Sequence, residues 1–126
     1  MTNTNQLAHI KNNKYDANME NSKVIIVNNN EKYLDLLNNN KKVIMYFGDP
    51  ECEACRKYGS LYKRFANKYH KKAVFLYTDI TKNGLSLPSI PAIYSYINGG
   101  EFLKLEDGVN SKEIKKMLAI ILNLKL

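Results

Sequence analysis

Short apolar runs and longer amphipathic stretches alternate along this chain of 126 residues. Five runs rich in β-branched and aromatic residues predict β-strands, and they cover residues 23–27, 43–47, 73–77, 91–97 and 101–105. The second run is almost continuously apolar, which is typical of a central strand that is covered on both faces. Asn98-Gly99-Gly100 suits the positive φ angles of a tight turn, so the last two strands are predicted to form an antiparallel hairpin.

Apolar residues at three- and four-residue steps predict three helices between and after these strands. The first helix is short and places Leu34 and Leu37 on one face. The last begins at Asn110, which together with Glu113 resembles a capping box. The apolar faces of the two longer helices comprise Tyr58, Leu61, Tyr62, Phe65 and Tyr69 in one and Ile114, Met117, Leu118, Ile121 and Leu122 in the other. Residues 81–89 are predicted to form a loop.

The order of these elements predicts a single α/β domain at residues 23–126, and a chain of this length has room for one hydrophobic core. Residues 1–22 are polar, and we interpret them as an N-terminal extension that forms a mobile arm or docks loosely. Asp49 and Asp79 fall at a turn and at a strand end, where turn and capping roles are the default for this residue type.

The chain carries a formal net charge of +7, and its Lys residues are spread over every segment rather than gathered in a basic stripe with aromatic residues. We therefore predict no nucleic-acid partner. No apolar run approaches the roughly 20 residues that a membrane-spanning helix needs. Residues 1–6 also lack the basic start of a secretory signal, and no apolar region follows them. We expect a cytoplasmic monomer.

Both cysteines of the chain fall in Cys52-Glu53-Ala54-Cys55, between a predicted strand and a predicted helix. A C-x-x-C pair at such a junction indicates redox chemistry, and in the cytoplasm a lone pair is more typical of a catalytic or metal-binding site than of a structural disulfide. A zinc site needs two further ligands, whereas His9 lies in the extension and His70 at the far end of the helix. We therefore predict neither a metal nor another cofactor.

The two cysteines are predicted to have different roles. Cys52 is expected at the N-terminal end of the helix, where unpaired backbone N–H groups and the helix dipole favour a thiolate that attacks a substrate disulfide. Cys55, one turn further along and more buried, would then resolve the mixed disulfide. Glu51 and Glu53 add negative charge near the thiolate, and Arg56 opposes it. We expect a reducing rather than a strongly oxidising couple.

The chain resembles thioredoxin-fold proteins over roughly residues 23–125, on four features that occur in this order. They are the Cys52-x-x-Cys55 motif at a strand-to-helix junction, Ile90-Pro91 at the start of a later strand, Asn98-Gly99-Gly100 at a hairpin, and a terminal amphipathic helix. The pattern Phe47-Gly48 followed by the motif is also similar to bacteriocin-accessory thioredoxin-like proteins, which are bacterial. The resemblance implies an α/β thioredoxin-like fold, with a central mixed sheet of four to five strands flanked by helices.

The resemblance also implies an activity, that of a thiol–disulfide oxidoreductase of the protein-disulfide reductase type. In the family, the peptide bond equivalent to Ile90–Pro91 is cis and packs against the cysteine pair. Ile90 and Pro91 are therefore expected to bind an extended segment of the substrate, in the manner of an added strand. The implied partners are a protein disulfide as the substrate and a reductase as the electron donor.

Several positions around the motif depart from the family pattern. Glu51 stands where the family has an aromatic residue, Tyr46 where thioredoxins carry a buried carboxylate, and Gly59-Ser60 where a helix-kinking Pro is common. Without that carboxylate, Cys55 must lose its proton to Glu51, Glu53 or water. The segment between the third and fourth predicted strands is also too short for the full helix that the family has there.

A second interpretation keeps the fold without the chemistry. The chain would then be a redox-inactive binding module or chaperone-like accessory protein that uses the groove beside Pro91 to hold a partner. Its cysteines would form a permanent disulfide or be vestigial. The retained C-x-x-C motif favours the enzyme, whereas the missing carboxylate and aromatic residue leave the binding module open.

Overall fold

A five-stranded mixed β-sheet lies at the centre of the structure, a computed structural model that describes residues 18–125. The strands are β1 Ile25–Ile26, β2 Lys42–Gly48, β3 Val74–Asp79, β4 Ala92–Ile97 and β5 Gly100–Leu105. The helices are α1 Asn30–Asn39, α2 Glu53–Tyr69, α3 Ile80–Asn83 and α4 Ser111–Leu122. The strand order is β1-β3-β2-β4-β5, in which β1, β3 and β2 are parallel and β4 is antiparallel to both of its neighbours. This arrangement confirms the predicted α/β fold with a central mixed sheet.

Strand β2 separates two hydrophobic clusters because its successive side chains point to opposite faces of the sheet. Ile44 and Tyr46 pack with apolar residues of α2 and α4 on one face. Met45 and Phe47 pack with Leu37 of α1 on the other face. Six of the seven residues of β2 are buried. The prediction that this strand is covered on both faces is therefore confirmed.

Asparagine side chains cap two of the helices that the sequence predicts. Asn29 Oδ1 accepts the N–H of Lys32 at 2.8 Å at the start of α1, and Asn110 Oδ1 accepts the N–H of Glu113 at 2.9 Å at the start of α4. Such caps satisfy backbone donors that have no partner within the helix. The predicted apolar stripe of α4 is buried along its whole length, and it anchors this helix against the sheet.

The first strand is shorter than the predicted range of residues 23–27. Ile25 and Ile26 pair with β3, and the N–H of Val27 donates to the carbonyl oxygen of Tyr77 at 2.8 Å. The backbone N–H of Lys23 donates instead to Asn67 Oδ1 at 2.9 Å, and that of Val24 donates to Ser22 Oγ at 3.1 Å. Because side chains take these donors, the β-ladder begins only at Ile25.

The predicted loop at residues 81–89 is partly helical, because α3 forms one turn there. The Asp79 carboxylate accepts the N–H of Thr81 at 2.9 Å and caps this turn, which is the capping role that the sequence predicts for Asp79. Gly84 ends the turn in the left-handed region, at φ 64°, where glycine is favoured. Residues 85–90 contain no helix or strand. The connection between β3 and β4 therefore contains a single helical turn in place of a full helix.

A short 3-10 helix, Met19–Asn21, precedes β1 and belongs to the range that the sequence assigns to the extension. Met19 is only 4% exposed and packs in the cluster on the α2 and α4 face. Met19 therefore packs against the domain, whereas residues 1–17 of the predicted extension lie outside the described residues. Within residues 18–125, no helix has the length and apolar character needed to cross a bilayer.

Candidate active site

The two cysteines lie at the start of helix α2, just beyond the carboxyl end of β2. Cys52 is the N-cap residue, with extended backbone angles of φ −85° and ψ 116°, and Cys55 lies in the first helical turn. Cys52 is half-buried, whereas Cys55 is only 5% exposed, and both thiols are free. Of the two sulfurs, Cys52 is therefore the one that a substrate disulfide can reach.

Hydrogen bonds connect the two thiols to each other and to the helix end. The backbone N–H of Cys55 donates to Cys52 Sγ at 3.2 Å, and a donor in this position stabilises negative charge on the sulfur. Burial, followed by a hydrogen bond with the Cys52 sulfur, raises the pKa of the Cys55 thiol to about 12. A backbone hydrogen bond from Asp49 acts in the opposite direction without reversing this pKa shift. Cys55 therefore keeps its proton at neutral pH.

Asp49 organises the turn that carries the motif. Its carbonyl oxygen accepts the N–H of Cys52 at 3.0 Å, and its Oδ1 accepts the N–H of Glu51 at 2.9 Å. Arg56 Nη1 donates to the carbonyl oxygen of Pro50 at 2.8 Å and closes the turn from the helix side. The predicted turn role of Asp49 is thus observed, but its contacts with both cysteines were missed. Its position three residues before Cys52 was the available signal.

Tyrosine rings fill the layer beneath the cysteines. The hydroxyl of the fully buried Tyr46 donates to the carbonyl oxygen of Cys55 at 2.7 Å. Its ring stacks against that of Tyr77, with ring centroids 6.0 Å apart. Burial raises the pKa of both phenols, and nearby negative charge, led by Asp79, contributes to raising the pKa of Tyr77 to about 12. At neutral pH both phenols are protonated donors, so Tyr46 does not supply the proton acceptor of a carboxylate.

Gly48, at the end of β2, leaves room for this layer. A Cβ at this position would lie 3.2 Å from Tyr46 Cε1, 3.3 Å from Tyr77 Cε1 and 3.4 Å from Cys55 Cβ. The first two distances are tighter than nine in ten Cβ contacts in proteins, so the two rings would have to shift to accept a side chain here. The sequence alone does not indicate Tyr77 or this role of Gly48, because both depend on the register that places Tyr77 beside Tyr46.

The predicted binding residues Ile90 and Pro91 lie at the same end of the sheet as the cysteines. The peptide bond between them is cis. Pro91 is buried and Ile90 is half-buried. Phe47 pairs with Ala92, and continuing this antiparallel register by one residue places Pro91 beside Gly48. The connection into β4 therefore borders the turn that carries Cys52.

The predicted modulating residues Glu51 and Glu53 are exposed on either side of Cys52. Besides burial, the charge of Asp49 is among the main causes that raise the pKa of Cys55. In the part of the chain that the structure describes, no group of three or more His, Cys, Asp and Glu side chains is close enough to hold a metal ion. The site therefore consists of two thiols, a helix terminus and the tyrosine layer.

The family model described as Thioredoxin matches residues 23–120. No curated protein matches the chain significantly. Among solved structures, thioredoxin from Plasmodium falciparum is similar with a TM-score of 0.69 and 24% identity, covering 77% of this chain and 98% of that chain. Poplar thioredoxin h is similar with a TM-score of 0.70 and 20% identity, covering 82% of this chain and 100% of that chain.

At these identities the structural likeness shows a shared fold, and the family model carries the assignment. The match begins just before β1 and ends within α4, so it includes the whole sheet, both cysteines and the cis Ile90–Pro91 bond. The chain therefore belongs to the thioredoxin family, and this membership supports thiol–disulfide oxidoreductase activity.

Proposed function

We propose that this protein catalyses thiol–disulfide exchange on protein disulfides, in the reducing direction, with Cys52 as the nucleophile and Cys55 as the resolving thiol. The observation that carries the proposal is the asymmetry of the pair. Cys52 Sγ is accessible and accepts an N–H at the helix terminus, whereas Cys55 is buried and holds its proton. Cys52 is thus the thiol suited to attack the substrate first, and Cys55 is suited to act in the second step.

Two exchange steps complete the reaction. The Cys52 thiolate attacks one sulfur of the client disulfide, forms a mixed disulfide and releases the other client sulfur as a thiolate. Cys55 then loses its proton, attacks the Cys52 sulfur and forms the Cys52–Cys55 disulfide, while the second client thiolate leaves. Two electrons pass to the client. A reductase, as the electron donor, returns the pair to its dithiol form.

The residues around the thiols bind the client and position the cysteines, and they take no part in the exchange of bonds. The client segment lies along the backbone of Ile90 beside Pro91, as in strand addition. Glu51 and Glu53 place negative charge on both sides of Cys52 and so disfavour acidic clients. Tyr46 holds the first turn of α2 through the Cys55 carbonyl. Because Tyr46 keeps its own proton, Glu51, Glu53 or water accepts the proton of Cys55.

A reducing couple works where thiols are kept reduced, which agrees with the cytoplasmic location that the sequence predicts. That location, the monomeric state and the bacteriocin-accessory subgroup remain predictions. The electrons would come from a dedicated reductase, and no metal or organic cofactor takes part in the proposed steps.

Reduction of insulin disulfides in the presence of dithiothreitol tests the proposal. The wild type should accelerate precipitation of the insulin B chain, and Cys52→Ser should abolish the acceleration because the attacking sulfur is lost. Ala54→Ser is the matched control, since it changes an exposed residue inside the motif and keeps both thiols. A Cys52→Ser variant as active as the wild type would refute the assignment of the nucleophile.

The binding module is the competing function, because the fold and the groove beside Pro91 are compatible with both. The free, asymmetric cysteines favour the enzyme. A wild-type protein that stays oxidised in strong reductant, reduces no disulfide and still binds an unfolded peptide would establish the module instead. Mass spectrometry after thiol alkylation reports the oxidation state directly.

A further inference from the structure

An apolar groove lies on the face of the sheet opposite α2 and α4, where the single turn of α3 leaves the strands partly uncovered. Its volume is about 480 Å³. Its lining includes Tyr33 of α1, Phe47 and Tyr94 of the sheet, and Leu85 and Leu87 after α3. None of the residues that line the groove is charged, and its polar members are three asparagines and Thr78. Leu85 is 44% exposed although it belongs to this apolar lining.

The groove reaches the end of the sheet that carries the cysteine pair and extends back along the strands to Met45 and Tyr96. Its lining includes Val27, Phe47 and Thr78, which lie at or just beyond the carboxyl ends of the three parallel strands. Cys52 follows the carboxyl end of one of these strands, β2. Tyr46 contacts Cys55 from one face of β2, and its neighbour Phe47 lines the groove on the other face. One strand therefore separates the groove from the active site.

The segment at residues 85–90 connects the groove to the predicted client site. Leu87 lines the groove, and three residues later the chain reaches Ile90 and the buried Pro91. A client segment that lies along Ile90 can therefore continue over Leu87 into the groove. A second cavity, of about 360 Å³, is lined by residues 37–41 and by Asn98 and Gly99, at the opposite end of β2. That cavity lies too far from the cysteines to serve the same client.

We propose that this groove binds an aliphatic or aromatic side chain of the client protein, in the segment next to the disulfide that Cys52 attacks. The inference rests on the proposed function and adds a specificity to it. An uncharged lining favours an apolar occupant, because a charged group would lose its hydration without gaining a partner. The volume falls within the range of roughly 300–1,000 Å³ that is usual for pockets that bind small molecules, so one side chain has room to enter.

Kinetics with matched disulfide peptides test the proposal. Each peptide contains one disulfide, and a single Leu or Ser is placed at successive positions on either side of the attacked cysteine. The full-length wild type should reduce the best Leu peptide about tenfold faster than its Ser partner, as judged by kcat/KM, which is the size of effect expected for one apolar side chain in a pocket. The rate with a small aromatic disulfide, which has no peptide segment, provides the baseline for each protein.

Two variants distinguish an effect of the groove on the rate ratio from a general effect of replacing exposed leucines. The double variant Leu85→Gln with Leu87→Gln makes part of the lining polar and should bring the Leu-to-Ser rate ratio close to one. Leu34→Gln is the matched control, because Leu34 is a similarly exposed leucine, at 47%, that does not line the groove. It should keep the ratio of the wild type.

The outcomes distinguish the two proposals. The groove proposal is refuted if Leu and Ser peptides react at equal rates at every position while the small disulfide is reduced normally. That result leaves the proposed function intact. A preference that survives in the double variant also refutes the groove proposal. Absence of all disulfide reduction would instead remove the proposed function. The proposal is also overturned if the wild type and Leu34→Gln sediment as dimers while the double variant sediments as a monomer. A second copy of the chain then fills the groove.

Discussion

The hydroxyl of Tyr46 and the carbonyl oxygen of Cys55 lie 2.7 Å apart in a buried hydrogen bond. This bond joins the central strand β2 to the first turn of α2, and it fixes the resolving cysteine relative to the sheet. The hydroxyl of Tyr62, further along α2, lies 2.9 Å from the carbonyl oxygen of Ile44 and 2.7 Å from that of Leu76. Phenol groups therefore hold the active-site helix on the sheet at two levels.

Replacing Tyr46 by Phe removes the hydroxyl and keeps the ring. We expect the free energy of unfolding to fall by about 1–2 kcal/mol, because the buried carbonyl of Cys55 loses a partner. Urea denaturation of the reduced protein measures this change. Tyr58→Phe, on the same helix, is the control, since its hydroxyl makes no hydrogen bond within the described residues, and it should change stability by less than about 0.5 kcal/mol. Equal losses in the two variants would contradict the assigned role of the Tyr46 hydroxyl.

Gly48→Ala tests the close packing beneath the cysteines. The new Cβ would lie 3.2 Å from Tyr46 Cε1 and 3.3 Å from Tyr77 Cε1. We expect a loss of about 1–3 kcal/mol in the free energy of unfolding, the usual cost of overpacking a core. Gly100→Ala is the control, because its Cβ would meet only the carbonyl oxygen of Ile97, at an ordinary 3.6 Å. A Gly48→Ala protein as stable as the wild type would show that the rings move aside freely.

Elements with strong local signals could be predicted from the sequence. The C-terminal helix was predicted from Asn110 and its apolar stripe, and the hairpin from Asn98-Gly99-Gly100, and the structure confirms both. The positions of Cys52 and Cys55 at a strand-to-helix junction were predicted for the same reason, since neighbouring residues along the chain determine the junction.

Features that depend on distant residues could not be predicted in this way. The shortening of β1 follows from the bond between Lys23 and Asn67, which are 44 residues apart in the chain. The tyrosine layer follows from the register that pairs Tyr46 with Tyr77. No local pattern encodes either contact. The roles of Ile90 and Pro91 came from the family resemblance rather than from the chain's own pattern, and they remain proposals.

Met19→Ala tests whether the residues before β1 belong to the folded domain. The side chain is 4% exposed and packs in the core cluster. We expect a loss of about 2–3 kcal/mol in the free energy of unfolding, at the lower end of values for truncating a buried methionine. Glu20→Ala, which changes the exposed neighbour, should have an effect below about 0.5 kcal/mol. Denaturant midpoints of the full-length variants provide the measurement. If Met19→Ala leaves the free energy of unfolding unchanged, the folded domain begins closer to residue 23.

The reduced protein should lose stability in alkaline solution. Folding raises the pKa of Cys55 from its ordinary 9.0 to about 12 and that of Tyr77 from 10.0 to about 12. The folded state therefore binds these protons more tightly than the unfolded state does. The resulting stability is complete below pH 9.0 and is lost as the pH rises toward 12, with a slope of at most about 1.4 kcal/mol per pH unit for each group. Cys55→Ala should show a shallower decline than the wild type, and identical pH profiles would contradict the raised pKa.

The step in which Cys55 releases the client should accelerate with pH. Attack requires the Cys55 thiolate, and burial is the main cause that raises the pKa of this thiol to about 12 in the reduced protein. Below this pKa the thiolate fraction rises about tenfold per pH unit, and the rate of the second exchange should approach the same slope. Single-turnover reaction with an aromatic disulfide separates the steps, because attack by Cys52 liberates the first coloured thiol and attack by Cys55 the second. Cys55→Ser should liberate only the first, and a second step with the same rate at neutral and alkaline pH would show that Cys55 has already lost its proton before it attacks.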